Sequence, residues 1–238
     1  MTLINKTRPF PLIVNRFEYK PMSRTTIDGK RVYNTPDGNR LVSVTTILDK
    51  TKSEESKAAL QDWRNRVGHA QAQTITTEAA GVGTVMHSML EKYLIEGVLK
   101  EPGTNNVQQI AHPMAQRIIQ EGLVHMDEVW GTEVPVYFPG LYAGSTDLVG
   151  IWNKKEAILD FKQTNRPKKD EYVDDYKTQI VAYALAHNEV HGTNIRTGVI
   201  LMCSRDCQYQ QWVVEGDEFD LYTNKWLNRV EKFYQLTN

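Results

Sequence analysis

In the segment ILDFKQTNRP (158–167) an acid, Asp160, and a base, Lys162, interrupt an otherwise apolar run. Strand side chains alternate between faces, so Ile158, Asp160 and Lys162 share one face while Leu159 and Phe161 point the other way. A second acid, Asp147, lies in YAGSTDLVGIW on the face of Ser145 and Val149. If the two segments pair as a hairpin around 153–156, two carboxylates and an ammonium gather at one end of a sheet. Close carboxylates repel, so a cation between them is expected. Their hard oxygens suit magnesium or manganese. A neighbouring lysine can orient a water there, or take its proton if burial and neighbours lower its pKa. Such a set suits cation-assisted attack on a phosphodiester. An ordinary cross-strand ion pair on a solvated face would show the same pattern.

Helical segments supply further candidates. Tyr172, Tyr176, Gln179 and Tyr183 fall on one face of a helix; such a stripe is usually half-buried packing, but the Gln179 amide needs partners. His87 and Glu91 lie one turn apart on a flank of another helix. Trp63, Arg64 and Arg66, and then Arg166, Lys168 and Lys169, combine flat and basic groups suited to single-stranded nucleic acid. A solvated helix face and a charged loop explain them equally well. Glu133 reads as a supporting acid or an exposed strand-end charge, and Tyr142 as core.

These residues must be positioned by surrounding elements. Residues 1–30 hold several prolines and no clean period, and are expected to form an irregular arm. RVYNTPDGNRLVSVTTIL (31–48) reads as two short strands around Pro36-Asp37-Gly38. A helix is expected over 53–72 with Ser53 as N-cap, a second over 83–96 and a third over 107–129. Met86, Met89, Leu90, Tyr93 and Leu94 give the second its apolar stripe. TEVPVYF, YAGSTDLVGIW and EAILDFK follow as strands, the last two joined by a turn at 153–155. A helix over 170–191, two strands (RTGVILMCS and CQYQQWVVE) and a helix over 217–236 complete the order. This predicts an α/β or α+β core with a central mixed sheet flanked by helices.

The 238 residues are 40% hydrophobic and 24% charged, enough for one sizeable core. No apolar run approaches a membrane span, and the opening segment lacks both an apolar signal core and an Arg- and Ser-rich pattern. An intracellular, cytoplasmic protein is expected. A formal net charge of −1 argues against a protein that coats duplex DNA nonspecifically. The two cysteines, Cys203 and Cys207, are too few for a four-cysteine zinc or iron–sulfur site.

GTVMH (83–87), GSTDLVG (144–150), ILDFKQT (158–164) and QIVAYA (179–184) occur in that order. The ordered set resembles the RecB-like branch of the PD-(D/E)XK nuclease superfamily. With RVYNTPDGNRLVSVTTIL, DWRNRVG and GTVMHSMLEKYL it is similar to the mitochondrial genome maintenance exonucleases and their phage-encoded relatives, over residues 31–235. The resemblance implies a restriction-endonuclease-like fold, with an arm at 1–30 and a single nuclease domain at 31–238. Within that domain, 31–130 would hold the hairpin and helices and 131–238 the catalytic sheet, the N-terminal helices arching near the site. It implies His87, Asp147, Asp160 and the Phe161 carbonyl as ligands of Mg2+ or Mn2+, and Lys162 as the group acting on water. Gln179 and Tyr183 would support the site. Trp63, Arg64, Arg66, Gln163, Thr164, Arg166 and Lys168 would contact DNA. Many relatives place a small hydroxyl directly after the lysine, where this chain has Gln163. The cysteines with which some relatives bind an iron–sulfur cluster are absent, and no mitochondrial leader is recognisable, which favours a viral or bacterial relative. The expected activity is removal of nucleotides from free ends of single-stranded DNA during replication, recombination or repair. A flap- or junction-cutting endonuclease, a non-catalytic DNA-binding module and a metal-binding adaptor are the alternatives.

Overall fold

The computed structural model describes residues 11–237. A six-stranded mixed sheet is built from β1 (Leu12–Ile13), β5 (Met126–Phe138), β6 (Tyr142–Trp152), β7 (Lys155–Thr164), β8 (Gly198–Ser204) and β9 (Tyr209–Val214), in the spatial order β1-β5-β6-β7-β8-β9. β5, β6 and β7 form an antiparallel meander, β7 and β8 run parallel, and β9 returns antiparallel. The turn between β6 and β7 places Asn153 and Lys154 both at positive φ, the conformation that matches the twist of a two-residue hairpin. The parallel connection from β7 to β8 is made by α5 (Asp174–His191). β8, GVILMCS, is buried throughout, as a strand covered on both faces must be.

Helices cover both faces. On one, α5 and α6 (Gly216–Thr237) pack with the short α1 (Val44–Lys50) against Val149 and Ile158. On the other, α3 (His69–Glu96) and α4 (Asn106–Glu121) pack against Leu148, Leu159 and Phe161. Hence the sheet is the middle layer of three, the mixed α/β arrangement that the sequence predicts. Among the described residues no helix is long and apolar enough to cross a membrane.

Several boundaries differ from the expected ones. The segment 11–30 of the expected irregular arm contains β1 and also β2 (Ser23–Ile27), while residues 1–10 lie outside the described residues. β2 joins β3 (Lys30–Asn34) and β4 (Arg40–Val42) in a second, three-stranded sheet. The stretch after β4 is helical: Ser43 caps α1 by accepting from the Thr46 N–H, and Val44, Ile47 and Leu48 bury one stripe. Ser53 caps α2 (Glu54–Val67) as expected, but that helix stops at Gly68, whose φ of 86° only glycine adopts readily. α3 begins immediately afterwards and runs 28 residues, through Gly81 and Gly83. From Val82 onward α3 buries Val82, Met86, Leu90 and Leu94, whereas before Val82 it buries only Ala72, and α2 buries nothing. α2 and the start of α3 are thus largely exposed to solvent. The third helix ends at Glu121 rather than 129, because Met126 and Val129 are already sheet residues facing the α3–α4 core.

The arm is fastened by His187, fully buried on α5. Its Nε2 meets the Tyr19 hydroxyl at 3.0 Å and its Nδ1 meets Thr193 Oγ1 at 2.8 Å. Burial, with the nearby His191 and Arg16, pushes its pKa from 6.5 down to about 3. The folded state therefore refuses a proton that the unfolded chain accepts below 6.5. Stability falls by up to about 1.4 kcal/mol per pH unit through that window and is unaffected above it. Thermal melts between pH 8 and 4 are expected to show this loss, with a shallower slope in His187→Gln.

Candidate active site

The site forms where β6 and β7 part. Their paired register runs from Trp152↔Lys155 to Leu148↔Leu159 and stops, while β7 stays paired with β8 through Thr164. Beyond the last pair, side chains replace the backbone ladder. Thr146 Oγ1 donates to the Leu159 carbonyl at 3.1 Å, and the Phe161 N–H donates to Asp147 Oδ2 at 2.5 Å. Asp147 thereby bridges the separated strands and stands beside Asp160. Its other oxygen, Oδ1, meets His87 Nδ1 on α3 at 3.0 Å. The Lys162 ammonium pairs with the Asp160 carboxylate and lies 5.1 Å from the Tyr176 ring.

Glu133 completes the group. On β5 it falls between the pairs Thr132↔Leu148 and Val134↔Thr146, opposite Asp147. It adopts φ 48°, uncommon for a residue with a side chain. Although Glu133 as a whole is exposed, its carboxyl turns into the cleft. One ligand atom from each of His87, Glu133 and Asp147 lies within 4.8 Å of the others.

The electrostatics favour a cation. Asp160 is only 5% exposed; burial pushes its pKa up, and Asp147 adds to the rise against the pull of Lys162. Loss of water and then the charge of Asp147 raise Glu133 as well. Burial alone would lower His87 and Lys162, yet both are raised: His87 by its bond to Asp147 and Asp147's charge, Lys162 by the charges of Asp160 and Asp147. Carboxyl groups whose charge is opposed by burial, and then by one another, are stabilised by a bound cation. The oxygens of Asp147 and Glu133 with the His87 imidazole form a donor set that could hold a divalent cation.

The remaining expected residues divide. Gln179 and Tyr183 meet, the Gln179 amide donating to the Tyr183 hydroxyl at 2.8 Å. The Tyr183 ring lies on the β6 backbone at Gly144, where an added Cβ would come within 2.5 Å of it. Burial and the charge of Asp160 push the Tyr183 phenol far up, so it remains a neutral hydrogen-bonding group. Tyr172, expected on the same helical stripe, lies in the turn before α5 and is 63% exposed. Tyr142 is core, its hydroxyl donating to the Ala182 carbonyl.

Trp63 and Lys168 line one cleft of about 680 Å³ between α2 and the start of α5, whereas Arg64, Arg66 and Arg166 are exposed outside its walls. Gln163 faces Gly83 of α3 with its Oε1 buried and unpartnered. Thr164, expected to touch DNA, is buried at the end of β7 and donates to the Arg166 carbonyl, holding the chain as it leaves the strand. Arg24 was not anticipated: it reaches the cleft from β2, whose polar sequence SRTTI carries no alternation to mark it as a strand.

The chain is similar to mitochondrial genome maintenance exonuclease 1 of Mus musculus, 27% identical over 208 residues, covering 82% of this chain and 59% of the relative. It is 25% identical over 236 residues to the Xenopus tropicalis protein of the same name, covering 90% and 64%. It thus spans about three fifths of these relatives' length. No protein-family model matches it. A crystal structure from Eubacterium rectale, described as that of a candidate exonuclease, superposes with TM-score 0.50 at 14% identity over 66% of each chain, a likeness of fold.

Proposed function

We propose that the protein is a divalent-cation-dependent deoxyribonuclease that removes nucleotides from free ends of single-stranded DNA. The observation that carries this reading is the convergence of His87, Asp147, Asp160 and Lys162 where β6 and β7 separate. The similarity to proteins named exonucleases supports action from ends.

His87, Asp147 and Asp160 would hold the cation, with Glu133 and the Phe161 carbonyl as further oxygen donors. When bound, it supplies Lewis acidity toward the phosphate and a water. Lys162, held charged between two carboxylates, acts as a donor: it orients the attacking water and stabilises negative charge on the phosphoryl oxygens. Asp160 fixes the ammonium, and Tyr183 with Gln179 backs the site from α5. We place the protein in the cytoplasm and infer a phage origin, although the relatives are named as mitochondrial proteins.

The test uses a linear and a circular single strand of the same sequence, each with Mg2+ or Mn2+. Degradation of the linear strand with the circle intact is the expected result. Cutting of the circle would reassign the protein as an endonuclease. Binding of both without cleavage would make it a recruitment module.

A further inference from the structure

We propose that Arg24 is a phosphate-binding residue and that the cleft on its far side holds the nucleotide next to the one being cut. The proposal rests on the nuclease reading and adds a substrate subsite to it.

Two clefts meet at Arg24. One, of about 520 Å³, is lined by Arg24, Gly83, His87, Glu91 and Glu133, and so includes the candidate cation site. The other, of about 450 Å³, is lined by Arg24, Tyr19, Tyr33, Glu133 and Ser145 among others. Arg24 and Glu133 form walls of both. The second volume lies within the roughly 300–1,000 Å³ typical of small-ligand clefts, and the half-buried Tyr19 in its wall is an aromatic group of the kind on which bases pack.

The position of Arg24 is set by backbone pairing. β2 is exposed at every residue, but Arg24 pairs in register with Tyr33, whose ring is buried. Among the described residues the Arg24 guanidinium makes no hydrogen bond and no ion pair, although Glu133 shares both of its clefts. A planar fork of donors without a partner is suited to bidentate binding of a phosphate. The need for it is electrostatic. Asp147, Asp160, Glu133 and Glu91 place four carboxyl groups in or beside the site, and the chain's net charge of −1 offers no long-range attraction to a polyanion. A cation carried into the wall of the same cleft as the carboxylates offsets that repulsion at one phosphate.

The test measures binding and cleavage separately, with wild type, Arg24→Gln and Arg24→Lys. Affinity for a labelled linear single strand is measured in calcium across a salt series, and cleavage kinetics in magnesium. Arg24→Gln is expected to weaken binding about 10-fold and to raise KM similarly with kcat little changed. The slope of log affinity against log salt should fall by about 0.7, one phosphate contact on a single strand. Arg24→Lys should recover the slope and part of the affinity. Oligonucleotides with one methylphosphonate near the end then locate the contact: neutralising that phosphate should weaken wild type and leave Arg24→Gln unchanged. Equal affinity, slope and KM in Arg24→Gln and wild type would overturn the assignment while leaving a cleaving wild type's nuclease reading intact. A wild type that neither binds nor cuts would remove both.

Discussion

Lys162→Met is expected to lower the rate of strand cleavage by about 10³-fold while binding in calcium stays near the wild-type level. Lys162 sits on β7 with its ammonium against Asp160 and beside Tyr176, which hold its charge at the site proposed to bind the phosphate. The methionine keeps the length and the apolar stem but removes the donor. The substitution also leaves Asp160, 5% exposed, without its ammonium partner. Breaking a buried pair costs roughly 3–5 kcal/mol; here the open cleft and a bound cation reduce that loss. Adding Asp160→Asn to Lys162→Met should therefore recover stability in cation-free buffer and recover no activity. Single-turnover cleavage and thermal melts of the two variants separate these effects. Wild-type-like cleavage by Lys162→Met would show that the lysine serves only to neutralise Asp160.

The β6–β7 hairpin and its acids were legible because both strands are long, charges interrupt their apolar runs, and a short turn joins them. The sequence also carried the order of sheet and helices, since β8 is one unbroken apolar run and α5 and α6 are long. What it concealed is where tertiary packing decides. VTTIL is rich in β-branched residues and favours a strand, yet one cap at Ser43 and a buried stripe at Val44, Ile47 and Leu48 make it a helix. Gly81-Val82-Gly83 reads as a boundary, but the helix continues through it, with Val82 buried in the α3–α4 core. In the sequence Glu133 reads equally as a supporting acid or an exposed strand-end charge, because its approach to Asp147 depends on the β5–β6 register and on a positive φ that no periodicity reveals. Arg24 was invisible for a similar reason: it belongs to a different sheet and reaches the site only through the fold.

Asp147→Ala is expected to abolish both cleavage and the response of folding stability to divalent cations. Asp147 is the residue on which the site converges, since one carboxylate accepts from the Phe161 N–H, meets His87 and lies near Glu133. In wild type, Mn2+ at about 100 times its dissociation constant should stabilise the fold by about 2.7 kcal/mol, raising Tm by about 5–10 °C, and a chelator should reverse the rise. In the variant the shift should vanish. The cation-free melt is less informative, because two effects oppose: the orphaned Phe161 N–H costs about 1–3 kcal/mol, while repulsion among Asp160 and Glu133 is relieved. The cation-induced shift isolates ligation from both. His87→Ala sharpens the comparison, because imidazole is a better partner for manganese than for magnesium, so it should reduce the Mn2+ shift more than the Mg2+ shift. An undiminished shift in Asp147→Ala would move the cation to other ligands. The absence of any shift in wild type would leave the crowded carboxylates without the ion that their raised pKa values call for, and cleavage would then need another source of positive charge.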